Sequence, residues 1–125
     1  MKLLNDFFHI VEDTQKEDVY VCRIRLNADH FIYKVHFQGN PVTPGICLVQ
    51  IATECLERKL NRRLYLKEMQ NIKFLSVLSP VEGALIDFVF PKIEETGTGC
   101  KIKAAILSGE NQYAKISMIY VYEPF

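Results

Sequence analysis

The chain has 125 residues, the size of one domain, and at that length folding hides roughly two thirds of the unfolded chain's surface. Hydrophobic residues make up 49% and charged residues 24%, which excludes a disordered chain. Fifteen Lys and Arg balance fifteen Asp and Glu, so the general basic bias of most nucleic-acid binders is missing.

The N-terminal MKLLNDFFHIVEDTQ breaks its apolar stretch with Asn5, Asp6 and His9 and has no small-residue cleavage pattern. No signal peptide is expected there. No apolar run reaches the ~20 residues of a bilayer span. Residues 7–15 and 18–28 read as extended segments. In the second, Val19, Val21, Ile24 and Leu26 mix with Arg23 and Arg25, and the β-branched content favours strand. From Asp29 to Thr43 the chain reads as irregular, because Gly39, Pro41, Pro44 and Gly45 punctuate its end.

A helix follows. Thr43 suits the N-cap and Pro44 the first helical position, and ICLVQIATECL continues to about Arg62. Its first half is apolar almost all round (Ile46, Cys47, Leu48, Val49, Ile51, Ala52), so other structure must enclose it. Its second half turns charged, with Arg58, Lys59, Arg62 and Arg63 suiting the negative end of the helix dipole.

Beyond it, Met69–Leu78 alternates apolar positions and residues 79–83 mark a turn. Ala84–Phe90, Cys100–Leu107 and Tyr113–Tyr122 are strands by composition. The turns at Glu94–Gly99 and Ser108–Gln112 are short enough for antiparallel hairpins. The pattern predicts one α+β domain over residues 1–125, an antiparallel sheet wrapped around one long central helix. Cys22, Cys47, Cys55 and Cys100 are scattered without a CxxC pair. They read as buried free thiols, with the cytoplasm as the expected compartment. His9 and His30 read as structural histidines.

The segment from His36 to Ile46, HFQGNPVTPGI, carries a family signature. It resembles that of the hot-dog-fold 3-hydroxyacyl-carrier-protein dehydratases, H-F-P-G-x-P-V-x-P-G-V, with His36, Phe37, Gly39, Pro41, Val42, Pro44 and Gly45 matching outright. Ile46 is a conservative change and Gln38 replaces a proline. Lys73-Phe74, Val77 and Pro80 are similar to that family's next block, K-F-x-x-P-V-x-P-G-D. The wording GNPVTPG is most similar to the dehydratases of aryl-polyene-type pathways. The resemblance implies a hot-dog fold and removal of water from a 3-hydroxyacyl thioester, as in fatty acid biosynthesis.

That chemistry suits the residue types. A neutral histidine removes a proton from C2, and an unperturbed pKa near 6.5 leaves much of His36 neutral at pH 7. Negative charge then grows on the thioester oxygen, where unpaired N–H groups at a helix N-terminus stabilise it. The resemblance gives that N–H to Gly45, whose missing side chain admits the acyl group. The acyl chain is expected in an apolar tunnel walled by residues such as Phe37, Val42, Pro44, Ile46, Phe74 and Leu78.

The family carries its acid on the helix, fourteen residues after the histidine, and here that position is Gln50. An amide cannot act as a carboxylic acid, but it can orient a hydroxyl or a water. Gln50, Thr53, Glu54 and Glu57 share one helix face. Glu54 lies about 6 Å further along, either a substitute acid or a solvated face residue. Three readings stay open: a dehydratase, a hot-dog thioesterase, and a catalytically incomplete subunit that binds an acyl carrier or a complete partner.

Arg58, Lys59, Arg62, Arg63 and Lys67 cluster near the helix exit. They read as charge complementing the dipole or, through the resemblance, as a dock for an acidic acyl carrier protein. With no phosphate loop and no metal-ligand spacing, no cofactor or metal is expected, and the 4'-phosphopantetheine would arrive with the substrate. Neither nucleic acid nor membrane is expected as a partner. The resemblance implies a homodimer or higher homo-oligomer, or a heterodimer with a related dehydratase.

Overall fold

The computed structural model describes residues 2–35, 39–81 and 84–124. Strands β1 (Phe8–Lys16) and β2 (Val19–Leu26) lead into a short helix α1 (Phe31–Val35) and then the long helix α2 (Gly45–Leu60). Four strands follow: β3 (Leu64–Phe74), β4 (Leu85–Glu95), β5 (Gly99–Ser108) and β6 (Asn111–Tyr122). They form one sheet in the order β1-β2-β4-β5-β6-β3, with every neighbouring pair antiparallel.

Strict alternation sends one face of each central strand inward. Tyr20, Cys22, Ile24 and Leu26 of β2 point to the core, as do Ile86, Phe88 and Phe90 of β4. Ile102, Ala104 and Ile106 of β5 join Ile116, Met118 and Tyr120 of β6. Cys47, Leu48, Ile51, Ala52, Cys55 and Leu56 of α2 share this core, so the sheet encloses the helix as its apolar first half requires. This is the hot-dog form of the α+β layout.

In β2 the buried set is Tyr20, Cys22, Ile24 and Leu26, whereas Val19 is exposed and Val21 half-buried. Three local readings are corrected. The loop after Asp29 contains α1. The ring Nδ1 of His30 accepts the Ile32 N–H at 3.1 Å, an N-cap supplied by a residue that composition does not flag. Thr43 does not cap α2: Pro44 holds that position without a side-chain bond. The Thr43 hydroxyl instead meets the Tyr33 hydroxyl at 2.9 Å. The helix also ends at Leu60, with Asn61 in the left-handed region (φ 51°), a conformation Asn tolerates.

The third strand differs most. It starts at Leu64, before the expected Met69, and stops at Phe74. It is an outer strand with register shifts at Leu66/Glu68 and Met69/Asn71. Met69 and Phe74 are both exposed. Bulges break the two-residue period that an alternation reading depends on. All four cysteines are buried and free, as expected from their scatter.

Candidate active site

The described part of the signature segment is held at Thr43 from two directions. Thr43 donates its N–H to the Leu78 carbonyl at 2.8 Å, joining the loop before α2 to the loop after β3. The Tyr33–Thr43 hydroxyl pair fastens the same loop to α1. Burial keeps the Tyr33 phenol neutral and pushes its pKa up to about 12. Phe7 stacks on Tyr33 with ring centroids 5.3 Å apart and meets His30 edge-on. His30 is buried, with Nε2 3.2 Å from Asp6, consistent with a structural histidine, whereas His9 is exposed. Gly39 enters the loop at φ +83°, a region that favours glycine. His36 and Phe37 lie outside the described residues.

Gly45 opens the 16-residue helix α2. No acceptor among the described residues meets its N–H, so it projects from the positive end of the helix dipole. The Phe74 ring lies against it, so close that a methyl added at Gly45 would sit 2.5 Å from Phe74 Cζ. The two sequence blocks that carry the resemblance therefore meet here. Val42 and Pro44 are half-buried and Leu78 is buried, while Ile46 and Phe74 are 60% and 56% exposed. This exposed apolar rim continues through Leu75, Val77 and Val81.

Two clefts lie along α2. One, of about 260 Å³, is lined by Ile46, Val49, Gln50, Thr53 and residues of β3. The other, of about 410 Å³, is polar, with Gln50, Glu54, Glu57, Arg62 and Arg63 on its wall. Gln50 belongs to both. Its amide Nε2 donates to Glu54 Oε2 at 2.9 Å. Thr53 shares a 2.8 Å contact with the buried Tyr120 hydroxyl, and Glu57 accepts the Leu64 N–H at 2.9 Å, tying the helix end to β3.

Glu54 is not a solvated face residue. It is 5% exposed, and its Oε1 accepts the N–H groups of Leu3 at 3.0 Å and Leu4 at 2.8 Å. Its Oε2 accepts from Leu3 at 2.8 Å as well as from Gln50. Both oxygens thus act as acceptors, the role of an ionised carboxylate. The backbone donors lie 50 and 51 residues away, and nothing near Glu54 in sequence signals them.

The basic residues separate into two groups. Arg58 pairs with Asp13 at 3.4 Å and Lys59 lies 5.5 Å from the Tyr20 ring, both toward β1 and β2. Arg62 stacks 3.8 Å above the Tyr122 ring and, with Arg63, borders the polar cleft beside Gln50. Lys67 is exposed within the span of β3. Among the described residues no helix is long and apolar enough to cross a membrane.

A six-stranded antiparallel sheet around one buried helix, with the signature loop feeding the helix N-terminus, defines a hot-dog-fold protein of the kind represented by dehydratases and thioesterases. Residues 12–111 match the ApeI-like family of ApeI dehydratases, and the chain belongs to that family. A chain of the dehydratase heterocomplex ApeI:P from Xenorhabdus doucetiae aligns with a TM-score of 0.70 at 12% identity, over 90% of this chain and 96% of that one. A hypothetical thioesterase with coenzyme A from Streptococcus pneumoniae TIGR4 gives 0.63 at 12% identity, over 93% and 85%. An uncharacterized protein from Erwinia carotovora subsp. atroseptica gives 0.62 at 19% identity, over 92% of each chain. At these identities the likeness establishes the fold. No curated protein matches the sequence.

Proposed function

We propose that this chain dehydrates a 3-hydroxyacyl thioester to the trans-2-enoyl thioester, with His36 as base and the Gly45 N–H on the thioester oxygen. Membership of the ApeI-like dehydratase family supports the reaction class. The observation that carries the reading is Gly45, an N–H at the head of a 16-residue helix with no described acceptor, flanked by Phe74 and an apolar rim.

The neutral His36 imidazole takes the C2 proton, and the electron pair left behind moves onto the thioester oxygen. The Gly45 N–H stabilises that charge in a dipole field that needs no reorganisation. The imidazolium then gives its proton to the C3 hydroxyl. Collapse of the enolate forms the C2=C3 bond and expels water, leaving His36 neutral. In this cycle one residue carries the proton both ways, so position 50 need not be an acid. Gln50 orients the hydroxyl. The acyl group lies against Val42, Phe74 and Leu78, and the thioester arrives on the phosphopantetheine of an acyl carrier protein that meets the Arg62–Arg63 side of the helix exit. The coenzyme A bound by the pneumococcal relative carries the same pantetheine arm.

A second reading is favoured by one specific observation. The Xenorhabdus doucetiae relative, with a TM-score of 0.70, belongs to a dehydratase heterocomplex, and here the outer strand β3 exposes Tyr65, Leu66, Met69 and Phe74. An unpaired, apolar edge calls for a covering chain. In this reading a related dehydratase pairs at that edge and supplies the acid that Gln50 lacks.

One assay separates these readings: a 3-hydroxyacyl thioester, with enoyl product and free thiol followed together. Enoyl formation that is lost in His36→Ala is the expected result. Thiol release without enoyl product would replace dehydration with thioester hydrolysis. Enoyl formation only after a related dehydratase chain is added would favour the heteromeric reading.

A further inference from the structure

The face of the sheet turned away from α2 carries a concentration of positive charge that the proposed reaction does not use. Ile102, Ala104 and Ile106 of β5 and Ile116 and Met118 of β6 point into the core, so Lys103, Ala105, Lys115 and Ser117 lie on the opposite, outer face. Strand register extends that face from β4 to β3. One row runs Lys92, Lys103, Ser117 and Asn71, and the adjacent row runs Val89, Ala105, Lys115 and Lys73. Lys92 thus stands directly opposite Lys103, and Lys115 directly opposite Lys73.

Like charges in that relation destabilise a sheet unless something compensates them. Lys92 is relieved by Glu94 at 3.6 Å. Lys73, Lys103 and Lys115 have no ion pair or hydrogen bond among the described residues. The neighbouring acids do not fill the gap. Asp87 of β4 is held by Arg23 at 2.8 Å, and the row beyond Lys103 is already mixed in sign, with Glu94, Lys101, Ile119 and Glu68. The three lysines border a single groove of about 290 Å³ that Asn71 and Ser117 also line, and no carboxylate is on its wall.

We propose that this groove is a binding site for a small phosphate-bearing molecule, with Lys73, Lys103 and Lys115 around one phosphoryl group. An ammonium offers three donors and no acceptor, and it meets phosphate as a point charge without a fixed plane of approach. A tetrahedral phosphoryl group presents oxygens to cations arriving from three different strands, which a planar carboxylate does less well. The Ser117 hydroxyl and the Asn71 amide add neutral donors on the same wall. The small side chains of Ala105 and Ser117 leave room between the lysines, and the volume limits the ligand to a small one. A bound anion turns the Lys73–Lys115 repulsion into a shared attraction. The groove lies across the sheet from Gly45, so the inference does not rest on the dehydratase reading.

The test uses pyrophosphate as the probe in titration calorimetry, with potassium chloride holding ionic strength constant so that screening does not pass for binding. The wild type is expected to bind at millimolar concentration or below. Lys103→Gln and Lys115→Gln are each expected to raise Kd about tenfold or more, the scale of a lost hydrogen bond between charged groups. Lys16→Gln, exposed on β1 at the opposite edge of the sheet, is expected to keep the wild-type affinity. Without pyrophosphate, Lys115→Gln should melt no lower than the wild type, because it removes the repulsion with Lys73. A wild type that ignores millimolar pyrophosphate, or an equal loss in Lys16→Gln, would overturn the site. Citrate bound as tightly as pyrophosphate would overturn the phosphoryl assignment. A lower melting temperature for Lys115→Gln without the probe would overturn the premise that this lysine pair is uncompensated.

Discussion

Replacing Gly45 with alanine separates the role of this residue in catalysis from its role in the fold. The added methyl would lie 2.5 Å from Phe74 Cζ and 2.9 Å from Cε1. Carbon atoms in ordinary contact sit about 3.5–4.0 Å apart, so the ring must retreat by roughly 1 Å or more. It can do so, because Phe74 is 56% exposed at the end of an outer strand. Alanine meanwhile favours the helical backbone by about 0.5–1 kcal/mol over glycine. The lost ring contact and the gained propensity are of similar size, so we expect stability within about 1 kcal/mol of wild type. At this chain length that is a melting shift of about 4 °C or less by calorimetry. Turnover should respond differently, since the methyl occupies the approach of the thioester oxygen to the N–H. A loss of roughly 100-fold in kcat/KM is expected, comparable to removing an oxyanion donor. Phe74→Ala is the control for displacement of the ring alone. If Gly45→Ala retains activity within about twofold of wild type, the oxyanion assignment fails. If Phe74→Ala loses as much as Gly45→Ala, the ring and not the approach to the N–H is responsible.

Two further predictions concern charge. Burial raises the Tyr33 phenol from 10.0 to about 12, and burial together with Glu95 raises the Cys100 thiol from 9.0 to about 11. Both groups are held neutral by the fold, so the stability they contribute is intact below pH 9 and is lost as pH climbs through 9–11 for Cys100 and 10–12 for Tyr33. Melting temperature should therefore decline above pH 9, and Cys100→Ala should delay the onset; an identical curve would clear Cys100 of any part. Carrier docking at the Arg62–Arg63 side of the helix should weaken with salt and weaken further in Arg63→Glu, as titration calorimetry at two ionic strengths would show. Affinity indifferent to both would place the dock elsewhere.

The legible parts of the molecule were those with a local signal. The β-branched and aromatic content of β2, β4, β5 and β6 and the apolar run of α2 are properties of neighbouring residues, and each of these elements is present in the structure. The signature from His36 to Ile46 was legible because its glycines and prolines restrict the backbone within a few residues. The course of β3 was not, since its bulges and its outer position follow from pairing with β6 far along the chain. Nor was the true N-terminal cap of α2, because Thr43 is claimed by Tyr33 and Leu78 rather than by its own helix.

Short-range periodicity and backbone restriction thus sufficed for an α+β chain with one enclosed helix, and the family resemblance of residues 36–46 singled out the segment before that helix. The tertiary structure alone decided what Glu54 does. Its environment is made by Leu3 and Leu4, which nothing but folding brings to the helix. A carboxylate that composition leaves as acid or surface charge becomes a buried acceptor because desolvation demands donors, and its backbone donors come from a remote part of the chain.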